Sequence, residues 1–431
     1  MTAWTTENLK TTIHQQDADD LFMDLYSVAG SYDLGLKRLA KLISQCDFPP
    51  TQLFSAPGRT ELGGNHTDHN HGKVLCAAVQ NDSLAVVAPR DDGKISLNSV
   101  GFSESFEVDV SNLDVQSKES GTTQALIRGV LAGIDKRGGT VGGFNAFVDS
   151  NVGIGMGLSS SASFEVLVGT IINGLYNENS LSQQSLAQIG QFAENVYFGK
   201  PCGLMDQAAS AMGGVLMIDF AETEKLVTTQ VEYDFNQTDY ILAVVHTDSD
   251  HADLTDAYAS IPVEMKAVAH EMNADVLRNT DPNDFYQQLS LLRDKLGDRS
   301  ILRAIHYYGE NRRVDQMVAT LEAGDFEAFL DNIAASGQSS QNLLQNVIPP
   351  DNDGSNQGLA IALGLSSAFI EEKGRGVARV HGGGFAGTIQ VYIHRDDFEE
   401  YQALMKRVNG SNSVEPLRIR KTGASHILDL I

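Results

Sequence analysis

A loop rich in glycine and serine opens a strongly helical run of this chain. Three glycines stand at alternate positions, Gly153, Gly155 and Gly157, and three serines follow within four residues. After them, apolar residues recur at helical intervals: Phe164, Leu167, Val168, Ile171, Ile172 and Leu175. The start of a helix presents unpaired N–H groups and a partial positive charge, and glycines let an anion approach the backbone. We therefore interpret residues 152–163, the serine-glycine loop, as a cradle for phosphate.

Other interpretations of the serine-glycine loop stay open on this pattern alone. A serine before a helix is often only an N-cap, and glycine-rich turns are common. The glycine spacing also resembles the GxGxxG pattern of dinucleotide-binding folds, but its third glycine comes too early. No lysine stands where a Walker P-loop needs one. A nucleotide bound at this loop would therefore use a different design.

The composition limits the partners and the cellular setting. The 431 residues suggest two domains, or three. A formal net charge of −25 argues against a nucleic acid partner, because no basic surface is left to neutralise phosphates. The cysteines, Cys46, Cys76 and Cys202, are far apart and lack metal-ligand spacing, which favours a reduced cytoplasmic setting. No apolar run reaches the ~18–20 residues that span a bilayer, so we expect no membrane partner.

Strands and helices mix along the chain without strict βαβ order, which favours the α+β class. Residues 1–45 show helical spacing and are expected to form an N-terminal helical extension. A segment rich in valine and alanine follows, and it predicts strands with a turn at Asn81-Asp82. We place a loose division after the next helices, which gives an N-terminal domain at 46–213 and a C-terminal domain at 214–431.

A second polar loop, residues 63–72, precedes the serine-glycine loop and is called here the histidine loop. Its sequence, GGNHTDHNHG, is dense in hydrogen-bond donors and acceptors. His66, His69 and His71 are candidate metal ligands, but no cysteine or paired acid completes a tetrahedral set. A solvated turn is a second interpretation. The third is a polyol site, since sugar hydroxyls need both donors and acceptors.

Two acidic residues and a further glycine cluster complete the candidate site. Asp206 lies in the first turn of a short helix, where an acid is often only a partner of the helix dipole. Glu194 lies near the end of its helix, where an acid is unfavourable, so it is either a Mg²⁺ ligand or simply faces solvent. Residues 381–387, the C-terminal glycine cluster, either turn the chain or close over the serine-glycine loop.

In this order, the motifs resemble those of the GHMP kinases and, within that superfamily, the galactokinase family. Tyr258, seven residues after His251, is similar to the family's sugar-stacking segment. The resemblance covers residues 52–395, and the stretch PCGLMDQ resembles the galactokinase catalytic stretch. The matching segments are residues 58–68, 157–163, 201–207 and 382–387.

The resemblance implies an α+β fold of two domains with the site between them. The N-terminal domain would be like ribosomal protein S5 domain 2, and the C-terminal domain would be ferredoxin-like. The implied activity is ATP-dependent phosphorylation of the anomeric hydroxyl of galactose or a closely related sugar. Asp206 and Arg59 would be the catalytic residues. Asp206 would take the sugar proton or hold the alkoxide-like state, and Arg59 would stabilise negative charge on the transferred phosphoryl group and on the nucleophile.

The resemblance also implies which residues bind the ligands. Mg²⁺ would be bound by Ser161 and Glu194. The implied ATP-binding residues are Gly155, Gly157, Leu158, Ser159, Ser160, Ser161 and Ala162. The implied sugar-binding residues are Asn65, His66, Asp68, Gly203 and Tyr258. Only the sugar and ATP are expected as partners, and we expect a monomer.

The chain departs from the family pattern within the histidine loop and just before it. The family usually has Glu where Asn65 stands, Tyr where His69 stands, and an Asn-Leu-Ile-Gly run within residues 60–64. In galactokinases that Glu contacts the sugar at its C6 end. An amide changes the hydrogen bonding there and removes a charge, so galacturonate, a galactosamine derivative or another aldose is an alternative substrate.

Two further function classes share such a phosphate loop. A non-catalytic sugar and ATP sensor could lose Asp206, Arg59 and the serines freely, yet this chain has all of them. A kinase for a non-sugar alcohol, such as mevalonate or homoserine, would need fewer hydroxyl partners than the histidine loop offers. Sugar-dependent release of ADP separates all three classes.

Overall fold

The computed structural model describes residues 3–12, 15–27, 30–153, 155–222, 226–247, 254–350 and 354–430. His251 and Ile154 lie outside these residues. Two β-sheets form within the described chain, each with its own strand order. The larger sheet has the order β12-β1-β2-β5-β3-β4, and β6 pairs with both β2 and β7. Its strands are β1 (Gln52–Gly63), β2 (Lys73–Arg90), β3 (Lys94–Ser99), β4 (Phe106–Asp109), β5 (Gly143–Ser150), β6 (Val215–Asp219), β7 (Val227–Val231) and β12 (Ser425–His426).

The smaller sheet comes from the second half of the chain and has the order β11-β8-β10-β9. All of its pairings are antiparallel. Its strands are β8 (Tyr240–His246), β9 (Val377–Val380), β10 (Thr388–His394) and β11 (Val414–Pro416). The C-terminal glycine cluster connects β9 to β10.

Helices precede, interrupt and follow the strands, which confirms the α+β class. The N-terminal helices are α1 (Thr6–Thr12), α2 (Gln15–Tyr26) and α3 (Ser31–Gln45). The helices between β4 and β6 are α4 (Thr123–Asp135), α5 (Ser160–Tyr176), α6 (Gln183–Phe192) and α7 (Met205–Met212). The later helices are α8 (Thr255–Glu271), α9 (Pro282–Gln287), α10 (Leu289–Leu296), α11 (Asp298–Glu322), α12 (Phe326–Ser339), α13 (Gly358–Lys373) and α14 (Phe398–Asn409). The division of the chain at residue 213 stays a prediction.

The larger sheet carries helices on both faces, so its central strand β2 is apolar on both sides. Ala85 and Val87 belong to the core shared with α5 and α7, whereas Leu84 and Val86 belong to the core shared with α2 and α3. This alternation follows from the strand period of two residues. Full burial of a Val or Leu side chain contributes about 1.5–3 kcal/mol, so the N-terminal helices are an integral layer of the sheet.

The turn predicted at Asn81-Asp82 is wrong, because β2 continues through both residues. The strand pairs with β6 before this point and with β5 after it, so the two residues lie where its neighbour changes. Asp82 is fully buried there and forms ion pairs with Arg38 and Arg420. A buried carboxylate with two guanidinium partners is stable inside a strand, where the dipeptide alone indicates a turn.

The two sheets meet through a shared core that brings the glycine clusters together. Leu62 of β1 packs in one cluster with Val244 of β8 and Met317 of α11. This packing places the C-terminal glycine cluster beside β1, where His381 lies 3.0 Å from the Thr60 hydroxyl. The serine-glycine loop follows β5 and reaches the same edge.

Candidate active site

The serine-glycine loop joins β5 to α5, and its backbone requires glycine at one position above all. Gly157 has a φ of 69°, and a Cβ built on it would lie only 2.5 Å from the Thr388 hydroxyl. Ser159 also adopts a left-handed conformation, with a φ of 61°, directly before the first helical residue. Its side chain makes no capping hydrogen bond to α5. The first N–H groups of the helix are therefore not capped by this serine, as an anion site requires.

The predicted ATP-binding residues are contiguous around this helix start. Leu158 and Ala162 are fully buried, so only their backbone can face a ligand. The Leu158 carbonyl accepts a hydrogen bond from the Arg59 N–H at 3.0 Å. Gly155, Ser160 and Ser161 lie in the loop or the first turn, with part of their surface exposed. The arrangement presents backbone and hydroxyl groups on one open side.

Arg59 and Asp206 form a bidentate pair beside the serine-glycine loop. Arg59 Nε lies 2.6 Å from Asp206 Oδ1, and Arg59 Nη2 lies 2.7 Å from Oδ2. Arg59 Nη1 also donates to the Gly157 carbonyl at 2.5 Å. Bidentate charge-assisted bonds of this kind fix both groups in one geometry. The pair links β1, the loop and the start of α7, which are distant in sequence.

Asp206 is held in its charged form. Burial alone would raise its pKa, but the Arg59 guanidinium and hydrogen bonds from Arg59 and Ser159 outweigh burial and lower the pKa below its ordinary value. Ser159 Oγ donates to Asp206 Oδ2 at 2.6 Å. The Asp206 side chain keeps 29% of its surface exposed, so a ligand can reach it. An ionised, reachable carboxylate can accept a hydroxyl hydrogen bond.

A second pair of oxygen-bearing side chains involves the first turn of α5. Ser161 Oγ is 3.2 Å from Glu194 Oε1, and Glu194 is buried. A π-helical turn, Ala193–Phe198, ends α6 and holds Glu194 in this position. One hydroxyl and one carboxylate fit Mg²⁺, which binds through few protein oxygens and fills its other positions with phosphate and water. These two residues therefore fit the predicted magnesium site.

Gln207 and Glu165 support this pair and were not singled out from the sequence. Gln207 Nε2 donates to Glu165 Oε2 and to Glu194 Oε2, both at 3.0 Å. Burial and the neighbouring Glu194 raise the pKa of Glu165 well above its ordinary value. The sequence does contain a clue to Glu165. This acid interrupts an apolar helical run and stands four residues after Ser161, on the same face of the helix.

The structure brings the predicted sugar-binding residues His66, Asp68, Gly203 and Tyr258 to one side of the cleft, called here the sugar wall. The His66 and Tyr258 rings lie 4.9 Å apart, and a His66 ring nitrogen, Nε2, is 2.9 Å from the Gly383 carbonyl. Since a carbonyl only accepts, the Nε2 position carries the proton in neutral His66. Burial lowers the pKa of His66 to about 4. Gly203 approaches Asp68 so closely that a Cβ there would lie 2.0 Å from Asp68 Oδ2.

Asn65 is placed differently from the other predicted sugar ligands. Its side chain is fully buried, and its amide forms hydrogen bonds with other groups of the protein. The structure therefore does not bring Asn65 to the open side of the cleft. The alternative of a metal site on the histidine loop gains no support, since no group of three metal-ligating side chains forms within the described residues.

The described chain contains no helix that is both long and apolar enough to cross a membrane. Family models match two parts of the chain. The model for the GHMP kinase N-terminal domain matches residues 125–214, and the galactokinase galactose-binding signature matches residues 44–89.

Curated relatives and solved structures extend the similarity over most of the chain. A galactokinase from Streptomyces coelicolor is 33% identical over 347 residues, which cover 80% of this chain and 85% of the relative. A galactokinase from Streptococcus suis is 31% identical over 356 residues, covering 81% and 86%. In fold, Lactococcus lactis galactokinase complexed with galactose matches with a TM-score of 0.74 at 24% identity, covering 90% of this chain and 98% of the other. A mevalonate kinase matches with a TM-score of 0.60 at 15% identity, covering 86% and 99%.

Proposed function

The chain belongs to the galactokinase family, and from that premise we propose that it phosphorylates the anomeric hydroxyl of galactose with ATP. The observation that carries the proposal is the Arg59–Asp206 pair: Asp206 bonds to Ser159 of the serine-glycine loop, and Gly203, three residues before it, packs against Asp68 of the histidine loop. A phosphate donor on one loop and a sugar on the other would meet at this pair. Phosphoryl transfer needs positioning and charge stabilisation more than covalent chemistry, and the pair can provide both.

Asp206 would receive the hydrogen bond of the anomeric hydroxyl and draw its proton away as the oxygen attacks phosphorus. Its lowered pKa makes it a weak base, so it contributes mainly by orienting the hydroxyl and favouring its alkoxide character. Arg59 would exchange part of its contact with Asp206 for the transferred phosphoryl group and stabilise the negative charge there. Ser159 would hold the carboxylate in register through its 2.6 Å hydrogen bond.

The residues around this pair would bind the two substrates. Bound Mg²⁺ supplies charge neutralisation to the ATP phosphates, and Ser161 and Glu194 would be its protein ligands. The start of α5 would receive the phosphates through its N–H groups. His66, Asp68 and Tyr258 would contact the sugar. We further propose a monomer that works in the cytoplasm, where its free cysteines stay reduced.

The electrostatics of the sugar wall favour a neutral hexose over a sugar acid. After burial, the negative charges of Asp68, Asp206 and Glu61 contribute most to raising the pKa of Tyr258. A galacturonate carboxylate brought to this wall would meet the same negative potential. Galactose carries no charge and avoids this penalty.

A substrate panel tests the proposed function. Purified protein with ATP and Mg²⁺ is given galactose, glucose, galacturonate, galactosamine or mevalonate, and ADP release is measured. We expect kcat/KM for galactose to exceed the others by at least about tenfold, as one or two lost hydrogen bonds would produce. Phosphorus NMR of the product should show an anomeric phosphate. Turnover with no preference for galactose, or none at all, would overturn the proposal.

A further inference from the structure

The Asn65 amide makes as many hydrogen bonds as it can, and all of them are to protein. Its Nδ2 donates to Glu61 Oε1 at 3.1 Å and to the Gly382 carbonyl at 2.6 Å. Its Oδ1 accepts from Asn346 Nδ2 at 2.9 Å and from Ser340 Oγ at 3.4 Å. A side-chain amide has two donors and two acceptor positions. No capacity is left for a sugar hydroxyl.

These bonds hold the backbone of the C-terminal glycine cluster against the sugar wall. Asn346 Nδ2 also donates to the Gly383 carbonyl at 3.2 Å, and the same carbonyl meets His66 Nε2 at 2.9 Å. Gly383 lies so close to Tyr258 that a Cβ there would be 2.0 Å from the ring. A shift of Gly383 would therefore move both rings of the sugar wall.

The charge next to Asn65 explains why this position needs an amide. Glu61 stands four residues earlier, is buried, and forms an ion pair with Arg379. A carboxylate at position 65 would face the Glu61 carboxylate and the Gly382 carbonyl, both of which only accept hydrogen bonds. The amide donates to both of them and still accepts from Asn346.

We propose that Asn65 and Asn346 form an amide clasp that positions His66 and Tyr258 for the sugar without touching it. The clasp rests on the proposed function, because it assigns a role within the sugar site of that reaction. Both asparagines are positioning residues. Weakening the clasp displaces the sugar wall and leaves the Arg59–Asp206 pair in place, so it raises the KM for galactose much more than it lowers kcat.

The N65D variant tests the clasp, since it keeps the shape of the side chain and removes its donors. We expect the galactose KM to rise about 10- to 100-fold, as loss of one or two bonds to charged or buried groups predicts. We expect kcat to change less than threefold and the KM for ATP to stay unchanged. Asn346→Asp should give the same pattern, and the double variant should be worse than either single variant because its two carboxylates face each other. Adding Glu61→Gln to N65D restores a donor between positions 61 and 65 and should recover part of the affinity.

Comparison of galactose with 6-deoxygalactose separates positioning from direct contact. A clasp that does not touch the sugar predicts the same factor of KM increase for both sugars in N65D. A larger increase for galactose would show that Asn65 binds the C6 hydroxyl, and a loss confined to kcat would show that it acts on catalysis; either result overturns the clasp.

Thermal unfolding and binding of a non-hydrolysable ATP analogue check folding. If N65D unfolds, the smaller change Asn346→Ser carries the same test with the same outcomes. Wild-type protein inactive on galactose would instead overturn the proposed function.

Discussion

The serine-glycine loop and the histidine loop line one cleft but are held by different interactions. Around the serine-glycine loop, charged groups pair with each other, and the Asp206 side chain keeps 29% of its surface exposed. Behind the histidine loop, amides, the His306 ring and backbone carbonyls bond to one another, both Asn65 and His306 are fully buried, and the nearby charges of Glu61 and Arg379 are paired with each other inside the protein. The first arrangement offers charge to a ligand, and the second fixes the shape of a wall.

This difference implies a division of labour between the two loops. Charge on a reacting group cannot be replaced by a neutral side chain without losing stabilisation of the transition state. A network that touches no reacting group can lose one bond and still leave the reacting groups in place. Substitutions beside the serine-glycine loop should therefore act on kcat and on metal binding, whereas substitutions behind the histidine loop should act on sugar KM and on stability.

The largest effect is expected for Asp206→Asn. An asparagine can still accept a hydrogen bond from Arg59, so the pair keeps much of its geometry while the negative charge is lost. We expect kcat to fall about 10³-fold, in the range for loss of a catalytic base or an electrostatic partner. The KM for galactose should change only a few-fold. Steady-state ADP release measures both values.

Glu119→Gln provides a matched control for this variant. Arg128 and Glu119 form a bidentate pair of the same kind, with both distances at 2.9 Å, and neither side chain bonds to the serine-glycine loop or to Asp206. The control should keep the kcat of the wild type and show the cost of neutralising such a pair in thermal unfolding. If Asp206→Asn kept more than about a tenth of wild-type kcat, the serine-glycine loop would not depend on charge, and the contrast between the loops would break.

The residues around the serine-glycine loop could be predicted from the sequence because each motif there has a local pattern. Glycine spacing, serines before an apolar run and an acid in a first helical turn are all visible within a few residues. The apolar spacing from Phe164 to Leu175 lies within a helix that begins at Ser160. The structure brings Arg59, Ser159 and Asp206 into hydrogen-bond contact, while the chemical roles assigned to them stay predictions.

The hydrogen-bond network behind the histidine loop could not be predicted from a local sequence pattern. Asn65 donates to a carbonyl 317 residues further along the chain and accepts from an amide 281 residues away. A short polar loop gives no indication of such partners, so a sugar contact was the natural expectation for Asn65. The prediction of a turn at Asn81-Asp82 was wrong because this dipeptide, too, depends on partners distant in sequence. Its strand conformation depends on Arg38 and Arg420, which the dipeptide does not reveal.

A smaller effect is expected for Glu194→Gln, which keeps the hydrogen bond from Gln207 possible but removes the ligand charge. Loss of even an outer partner typically weakens metal binding about 10- to 100-fold, and we expect a loss in this range. Calorimetry of a non-hydrolysable ATP analogue at increasing Mg²⁺ concentration measures this loss of metal affinity without turnover.

The exposed Lys200 lies 3.7 Å from Glu194 and provides a control. Lys200→Ala should change the Mg²⁺ requirement less than about threefold, because exposed ion pairs contribute little. Equal effects of the two variants would exclude Glu194 as a special ligand.

The smallest effect is expected for His306, which supports the histidine loop and makes the free energy of unfolding depend on pH. The His306 ring lies between the Asn65 carbonyl and the Ser339 hydroxyl, each at 2.9 Å. Burial lowers its pKa below the ordinary 6.5, although Glu310 opposes the shift. Below pH 6.5 the unfolded chain therefore binds this proton more readily than the folded chain. The stability that neutral His306 contributes is complete above that pH and is lost as the pH falls toward its folded pKa.

His306→Gln removes this titration while keeping a donor for the Asn65 carbonyl. Urea unfolding at pH 7.5 and 5.5 gives the loss of unfolding free energy on acidification for each protein. That loss should be smaller in the variant than in the wild type, by up to about 1.4 kcal/mol for each unit by which folding lowers the His306 pKa within this pH range. An equal loss in both proteins would mean that His306 carries a proton when folded. His306 would then add an unpaired positive charge beside the Asn65 carbonyl, and the contrast between the two loops would weaken.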